Sequence, residues 1–238
     1  MKLLFLLFVA HFTMASPNFY KNGKLVVSTH YSPPWSYKDC RGAEIDIIRL
    51  AFKEVGIEIT CKSSSYGRLV ANFLAKKTLF ASPVVKSDGN KVGAFYSDSF
   101  ISYVDIAASF NNSKISFKDL ESSNLVAYQN ASDYLGKRFK HISKKAKSYN
   151  EIPGRDGQVR MLGMSRVDYV VGEQNILNSL AKKIYPNRTL YNNMIIKKWD
   201  VRAGSHDKVL MMKFNKGLRI IKKKGKIKEI YSKYGVVK

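Results

Sequence analysis

Histidine and cysteine are scarce in this 238-residue chain, with four of the first and two of the second. His30, His141 and His206 lie far apart, and no spacing among them or the cysteines suits a metal site. A G-x-S-x-G nucleophile elbow and a Cys/His nucleophile signature are also missing, which argues against hydrolytic or covalent catalysis. Beyond the first residues no apolar run is long enough to cross a bilayer. Acids are few as well, 18 against 41 lysines and arginines, for a net charge of +23. Such a charge admits nucleic acid, an anionic envelope face or an acidic ligand as partner, or only a solvated lysine surface. Neither a zinc-finger spacing nor an RNP-like aromatic strand is present, so a nucleic-acid partner is not expected.

Met1-Lys2, the apolar run Leu3 to Ala10 and the small residue Ala15 read as a secretory signal cleaved after residue 15. The expectation is an exported, soluble, periplasmic protein with no lipid-bearing cysteine at the cut. In that oxidising compartment Cys40 and Cys61 can pair. They follow neighbouring strands, which leaves a disulfide open without requiring it. Apolar residues make up 45% of the chain, ample for one large domain or two small lobes.

The stretch from Lys24 to Val55 reads as strand, loop and helix. β-Branched residues fill Leu25 to Thr29, Pro33-Pro34 stops the strand, and Ile45, Ile48 and Phe52 recur at helical spacing before Gly56. Ligands of open α/β sheets sit beyond the carboxyl ends of the strands, where Tyr31, Trp35 and Tyr37 fall. These aromatics either grip a ligand or pad the loop. Strand 57–61, a polar loop at Ser63 to Ser65, a helix from Tyr66 and strand 78–85 complete two βαβ crossovers. Turn residues 86–90 precede one long extended segment, Phe100 to Phe110. A second set then follows, with helix 117–120, strand 125–128, helix 131–139, a short segment 146–149, helix 157–163, strand 167–171 and helix 174–183. Residues 195–201 look extended, and helices at 207–221 and near 227–231 close the chain.

Several stretches in order resemble the family 3 solute-binding proteins, the periplasmic receptors of polar amino-acid ABC transporters. They are Gly42-Ala43-Glu44-Ile45-Asp46-Ile47, Phe95 to Phe100, Asp119-Leu120 through Tyr134, Arg166 to Val171, and Phe214-Asn215-Lys216-Gly217-Leu218 to Tyr234. The resemblance implies a two-lobed type II periplasmic binding fold, α/β throughout. Each lobe is then a mostly parallel sheet flanked by helices, joined by two crossover strands, with residues 16–107 and 197–238 in lobe 1 and 108–196 in lobe 2. It implies a small polar, amine-bearing solute, an ABC transporter permease as partner, a monomer and no cofactor. A sensory or envelope-associated module and a lyase or dehydratase are the alternatives on the same fold, the leading expectation being a protein without catalysis.

The resemblance also suggests site residues. Glu173 stands where the family commonly has an aspartate that receives an ammonium group, although an acid in a first helical turn also suits the helix dipole. The family's arginine clamp for an α-carboxylate is replaced by Asn90, while Ser87 keeps the hydroxyl of that turn and Lys91 adds charge. Arg68, in Tyr66-Gly67-Arg68, can compensate as a cation or be a solvated helix residue. Asn130 and Ser132 stand at a helix start that either binds an anion through free amides or is closed by Asn130 as an ordinary cap. Trp35, Arg68 and Glu173 are expected to face one cavity.

Overall fold

The alternating apolar residues of the first strand and the 3.6-residue period after Gly42 appear as β2 (Lys24–His30) and α1 (Ala43–Lys53) in the computed structural model, which describes residues 19–85 and 92–237. The expected signal segment, the turn at 86–90 with Ser87 and Asn90, and Lys91 lie outside the described residues. Between β2 and α1 the loop folds back on itself, with Ala43 N–H donating to Pro34 O and Glu44 N–H to Trp35 O. Gly42, at φ 127°, lies where a Cβ would collide with the Trp35 carbonyl, so that motif glycine is sterically required.

The first sheet runs β3 (Ile59–Ser64), β2, β4 (Phe80–Ala81), β11 (Gly204–Ser205) and β5 (Phe95–Tyr96), with β1 (Tyr20–Lys21) paired to the first residues of β2. β3 and β4 are parallel to β2, whereas β11 is antiparallel to both its neighbours. The helices α1, α2 (Tyr66–Leu74), α8 (Lys208–Lys223) and α9 (Lys226–Tyr234) accompany this sheet in the chain. Phe52, Phe80 and Phe214 meet there with ring centroids 5.0 to 5.1 Å apart. Gly217 of α8 lies so close to the carbonyl of Ala51 that no side chain fits between the two helices.

The second sheet runs β10 (Tyr191–Val201), β6 (Ile101–Ser109), β9 (Tyr169–Glu173), β7 (Asn124–Tyr128) and β8 (Ser148–Ile152). β7 is parallel to β8 and β9, and β6 is antiparallel to β9 and β10. Around it lie α3 (Phe117–Glu121), α4 (Ala131–Tyr134), α5 (Lys137–Lys145), α6 (Arg155–Gly163) and α7 (Gln174–Ile184). β6 and β10 are paired from Ile101↔Val201 to Ser109↔Tyr191. A boundary at 107/108 and 196/197 cuts through this ribbon, because both strands belong to the second sheet along their whole length.

Several boundaries shift by two or three residues from the sequence reading, as β9 does to Tyr169–Glu173 and β8 to Ser148–Ile152, and four elements differ more. Ser63 and Ser64 are strand rather than loop, since their backbones pair with Thr29 and His30, and Cys61 is therefore in mid-strand. The expected strand 78–85 shrinks to Phe80–Ala81, because Pro83 has no N–H for a ladder. Helix 131–139 is broken at Gly136, φ 94°, into α4 and α5. β10 begins at Tyr191 instead of Ile195, held by β6 despite its polar start. Cys40 and Cys61 are joined in a disulfide with Cα atoms 5.4 Å apart.

Candidate functional site

The strand ends of both sheets open on one cavity of about 870 Å³. The first sheet supplies His30 at the end of β2 and Tyr31 just after it, Ser63 and Ser64 of β3, and Tyr66 of α2. From the second come Tyr103 and Asp105 of β6, Tyr128 of β7, Arg155 of α6, Glu173 of β9 and Trp199 of β10. Tyr103 and Asp105 share a face because strand side chains alternate with a period of two. Trp199 is the cross-strand partner of Tyr103, and their rings meet edge to face at 5.3 Å.

Two carboxyl groups are buried here. Trp199 Nε1 donates to Asp105 Oδ2 at 2.7 Å, and no hydrogen bond from a described residue reaches Oδ1. Glu173, 2% exposed, receives Trp35 Nε1 and Ile176 N–H on Oε2, both at 2.9 Å, and Asn175 Nδ2 on Oε1 at 3.1 Å. Burial raises the pKa of both acids, against the pull of those donors. Glu173 is thus the N-cap of α7 and a lining residue of the cavity at once.

Facing them is Arg155, its guanidinium 4.4 Å from the centroid of the Tyr128 ring. Arg155 Nη1 is buried without a hydrogen-bond partner. A Cβ added to Gly172 would stand 3.2 Å from that nitrogen, so the glycine makes room for it. His30 sits edge to face against Tyr66, its pKa lowered to about 3 by burial and by the charge of Arg155, which keeps the imidazole neutral. Among the described residues six buried side-chain polar atoms have no partner, and three of them belong to lining residues of this cavity: His30 Nδ1, Tyr103 Oη and Arg155 Nη1. Natural structures rarely leave such atoms unmade without a use for them.

The residues singled out in the sequence fall in different places. Tyr31 and Asn130 line the cavity with Glu173. Trp35 does not; it is buried behind the cavity and reaches it through Glu173. Arg68 is a correction, because it is exposed and absent from the lining, where Tyr66 and Gly67 stand instead. Leu69 of that helix is the residue turned into the core, which leaves its neighbour Arg68 outside.

Asn130 does not cap α4: its backbone is left-handed, at φ 63°, and its side chain makes no capping bond. The helix start is not open to an anion either. Asn130 N–H and Ser132 N–H donate to the two oxygens of Glu151 at 2.6 and 2.8 Å, and Tyr149 Oη donates to the same carboxylate at 2.7 Å. Burial alone would raise the Glu151 pKa, but these bonds outweigh it and hold the carboxyl below its usual range.

Sequence reasoning missed Asp105, Tyr103, Trp199 and Arg155. Asp105 did carry a signal, an acid inside an otherwise apolar run. Arg155 had a weaker one, following Pro153-Gly154 at a helix start just beyond a strand. No group of three metal-ligating side chains occurs among the described residues.

No curated protein matches the chain. Among solved structures it is similar to an ancestral arginine-binding protein bound to arginine, at 20% identity and a TM-score of 0.72, covering 90% of this chain and 99% of that one. A histidine kinase sensor domain with similarity to periplasmic binding proteins superposes at 0.75 with 13% identity, covering 89% and 95%. An ancestral amino-acid-binding protein described as a precursor of cyclohexadienyl dehydratase superposes at 0.71 with 20% identity, covering 89% and 95%. These likenesses are of fold, the two-lobed periplasmic binding arrangement. The family model for bacterial extracellular solute-binding proteins, family 3, matches residues 25–237, and the chain belongs to that family.

Proposed function

We propose that the chain captures a small polar, amine-bearing, amino-acid-like solute in the periplasm and hands it to an ABC importer. One observation carries this reading: unpartnered polar atoms from both sheets converge on one cavity. Among the described residues its charged lining is Lys38 and Arg155 against Asp105, Asp156 and Glu173, a balance quite unlike the lysine-rich chain as a whole. An ammonium group suits Asp105 Oδ1, beside its cross-strand partner Glu173, whose oxygens already receive three donors and whose negative charge adds to the attraction. A carboxylate suits Arg155 Nη1. A zwitterion would satisfy both groups of the second sheet at once, and its contact with His30 and Tyr31 of the first would favour the closed arrangement of the lobes. No bond-making step is assigned to the site.

Native mass spectrometry of the purified protein, followed by calorimetry with the solute it retains, tests this. A retained zwitterion whose affinity drops in Arg155→Gln supports the reading; failure of a panel of amines and amino acids to bind overturns it. Stimulation of a reconstituted permease by the loaded protein separates transport from a sensory role.

A further inference from the structure

A second cavity, of about 790 Å³, lies on the other side of Trp35. Its walls are apolar, chiefly Trp35, Ile101, Leu218, Ile227 and Val237. Among the described residues its charged lining is Lys198, Lys222 and Lys228, from β10, α8 and α9, and none of the described carboxylates lines it. All three lysines are exposed, and their ammonium groups bond to no described residue. Neighbouring lysines do find acids, as Lys224, just after α8, does at Glu54 and Lys226 of α9 at Glu229.

We propose that this groove is a second binding site, for an anionic amphiphile with one aliphatic chain, such as a medium-chain carboxylate. The apolar walls remove the chain from water, and the lysines meet the head group. Charge selects the sign of the occupant, and the volume lies within the usual range of small-molecule sites, about 300 to 1,000 Å³. The groove is tied to the first cavity by two walls that end on one residue. Trp35 donates to Glu173 Oε2. Val237 exchanges hydrogen bonds with Asn175, which donates to Glu173 Oε1. Filling the groove therefore bears on the carboxylate of the other site, and by linkage the effect is reciprocal.

The chain has two tryptophans, so the full chain carrying Trp199→Phe reports from Trp35 alone. Titration with dodecanoate below its micellar concentration should give a saturable change in Trp35 fluorescence. Dodecyltrimethylammonium, of equal length and opposite charge, should give none. Adding Lys222→Glu and Lys228→Glu should weaken dodecanoate at least tenfold, while Arg155→Gln, in the first cavity, should leave it unchanged. Three results would overturn the proposal: equal response to both amphiphiles, indifference to the lysine reversals, or loss of dodecanoate binding in Arg155→Gln. A concentration-dependent dimer in sedimentation equilibrium, abolished by the lysine reversals, would place a second copy in the groove and overturn it as well.

Discussion

Trp35 Nε1 donates to Glu173 Oε2 at 2.9 Å, joining two residues 138 positions apart and the loop of one sheet to the strand end of the other. Glu173 also caps α7, so replacing it by alanine removes a ligand group and a cap together. Glu173→Gln separates the two, because an amide oxygen still accepts from Ile176 N–H. Calorimetry with the retained amine-bearing solute should give a loss of about tenfold for Glu173→Gln. Glu173→Ala, which removes the buried charge and the cap together, should lose about 2 kcal/mol or more, roughly thirtyfold. Unchanged affinity in both variants would leave Glu173 as a helix cap only.

Arg155→Gln should weaken a solute carrying a carboxylate by about 1.5 to 3 kcal/mol, the usual worth of a charged hydrogen bond. Arg155→Lys should not restore it, because the planar fork stacked on Tyr128 has no ammonium equivalent. Gly172→Ala should reproduce part of the loss without touching the charge, by crowding Nη1. Equal affinities across these variants, measured on the same solute, would remove Arg155 from the site.

Glu44 is fully buried on α1, accepts from Ser82 Oγ on one oxygen and has no partner on the other. Burial raises its pKa from 4.5 to about 7. Between those values the folded chain keeps a proton that the unfolded chain has released, so this group's contribution to stability falls as pH rises from about 4.5 to 7. His30 acts oppositely, since its lowered pKa makes the unfolded chain the better proton acceptor below its ordinary value of 6.5. Subtracting the urea-unfolding profile of Glu44→Gln from that of the parent isolates the glutamate. The difference should shift by about 3 kcal/mol across that window, and a flat difference would mean that Glu44 is ionised in the fold.

Reducing the Cys40–Cys61 bond should lower stability by about 3 kcal/mol, the loop-closure value for a separation of 21 residues. Urea midpoints with and without a reductant measure it. Coincident midpoints would show that the loop is held by Gly42 and its neighbours alone.

Legibility in the sequence followed how much each residue's neighbours in the chain decide. β2, α1, α7 and α8 were plain because one apolar face each, such as Leu210, Phe214, Leu218 and Ile221, records the packing locally. β10 was not, since Tyr191-Asn192-Asn193 gains its extended form from pairing with β6, a partner more than eighty residues away. The site behaved likewise. Tyr31 could be placed from a strand end and Glu173 from the family resemblance, but choosing Arg155 over Arg68 required knowing which side of a helix start meets the facing sheet. The capture of the Asn130 and Ser132 amides by Glu151 left no local trace, because β8 brings that carboxylate in from the side.

Glu151 has one further consequence. Being tethered, it competes for those two amides at an effective concentration set by the chain, of millimolar order or above for short connections, and that value does not change with what the cell meets outside. A dilute solute's carboxylate never outnumbers it. Selection at this end of the cleft thus works as permanent occupancy: a solute whose binding depends on those amides is refused by dilution alone, and one that enters must find its anion partner elsewhere.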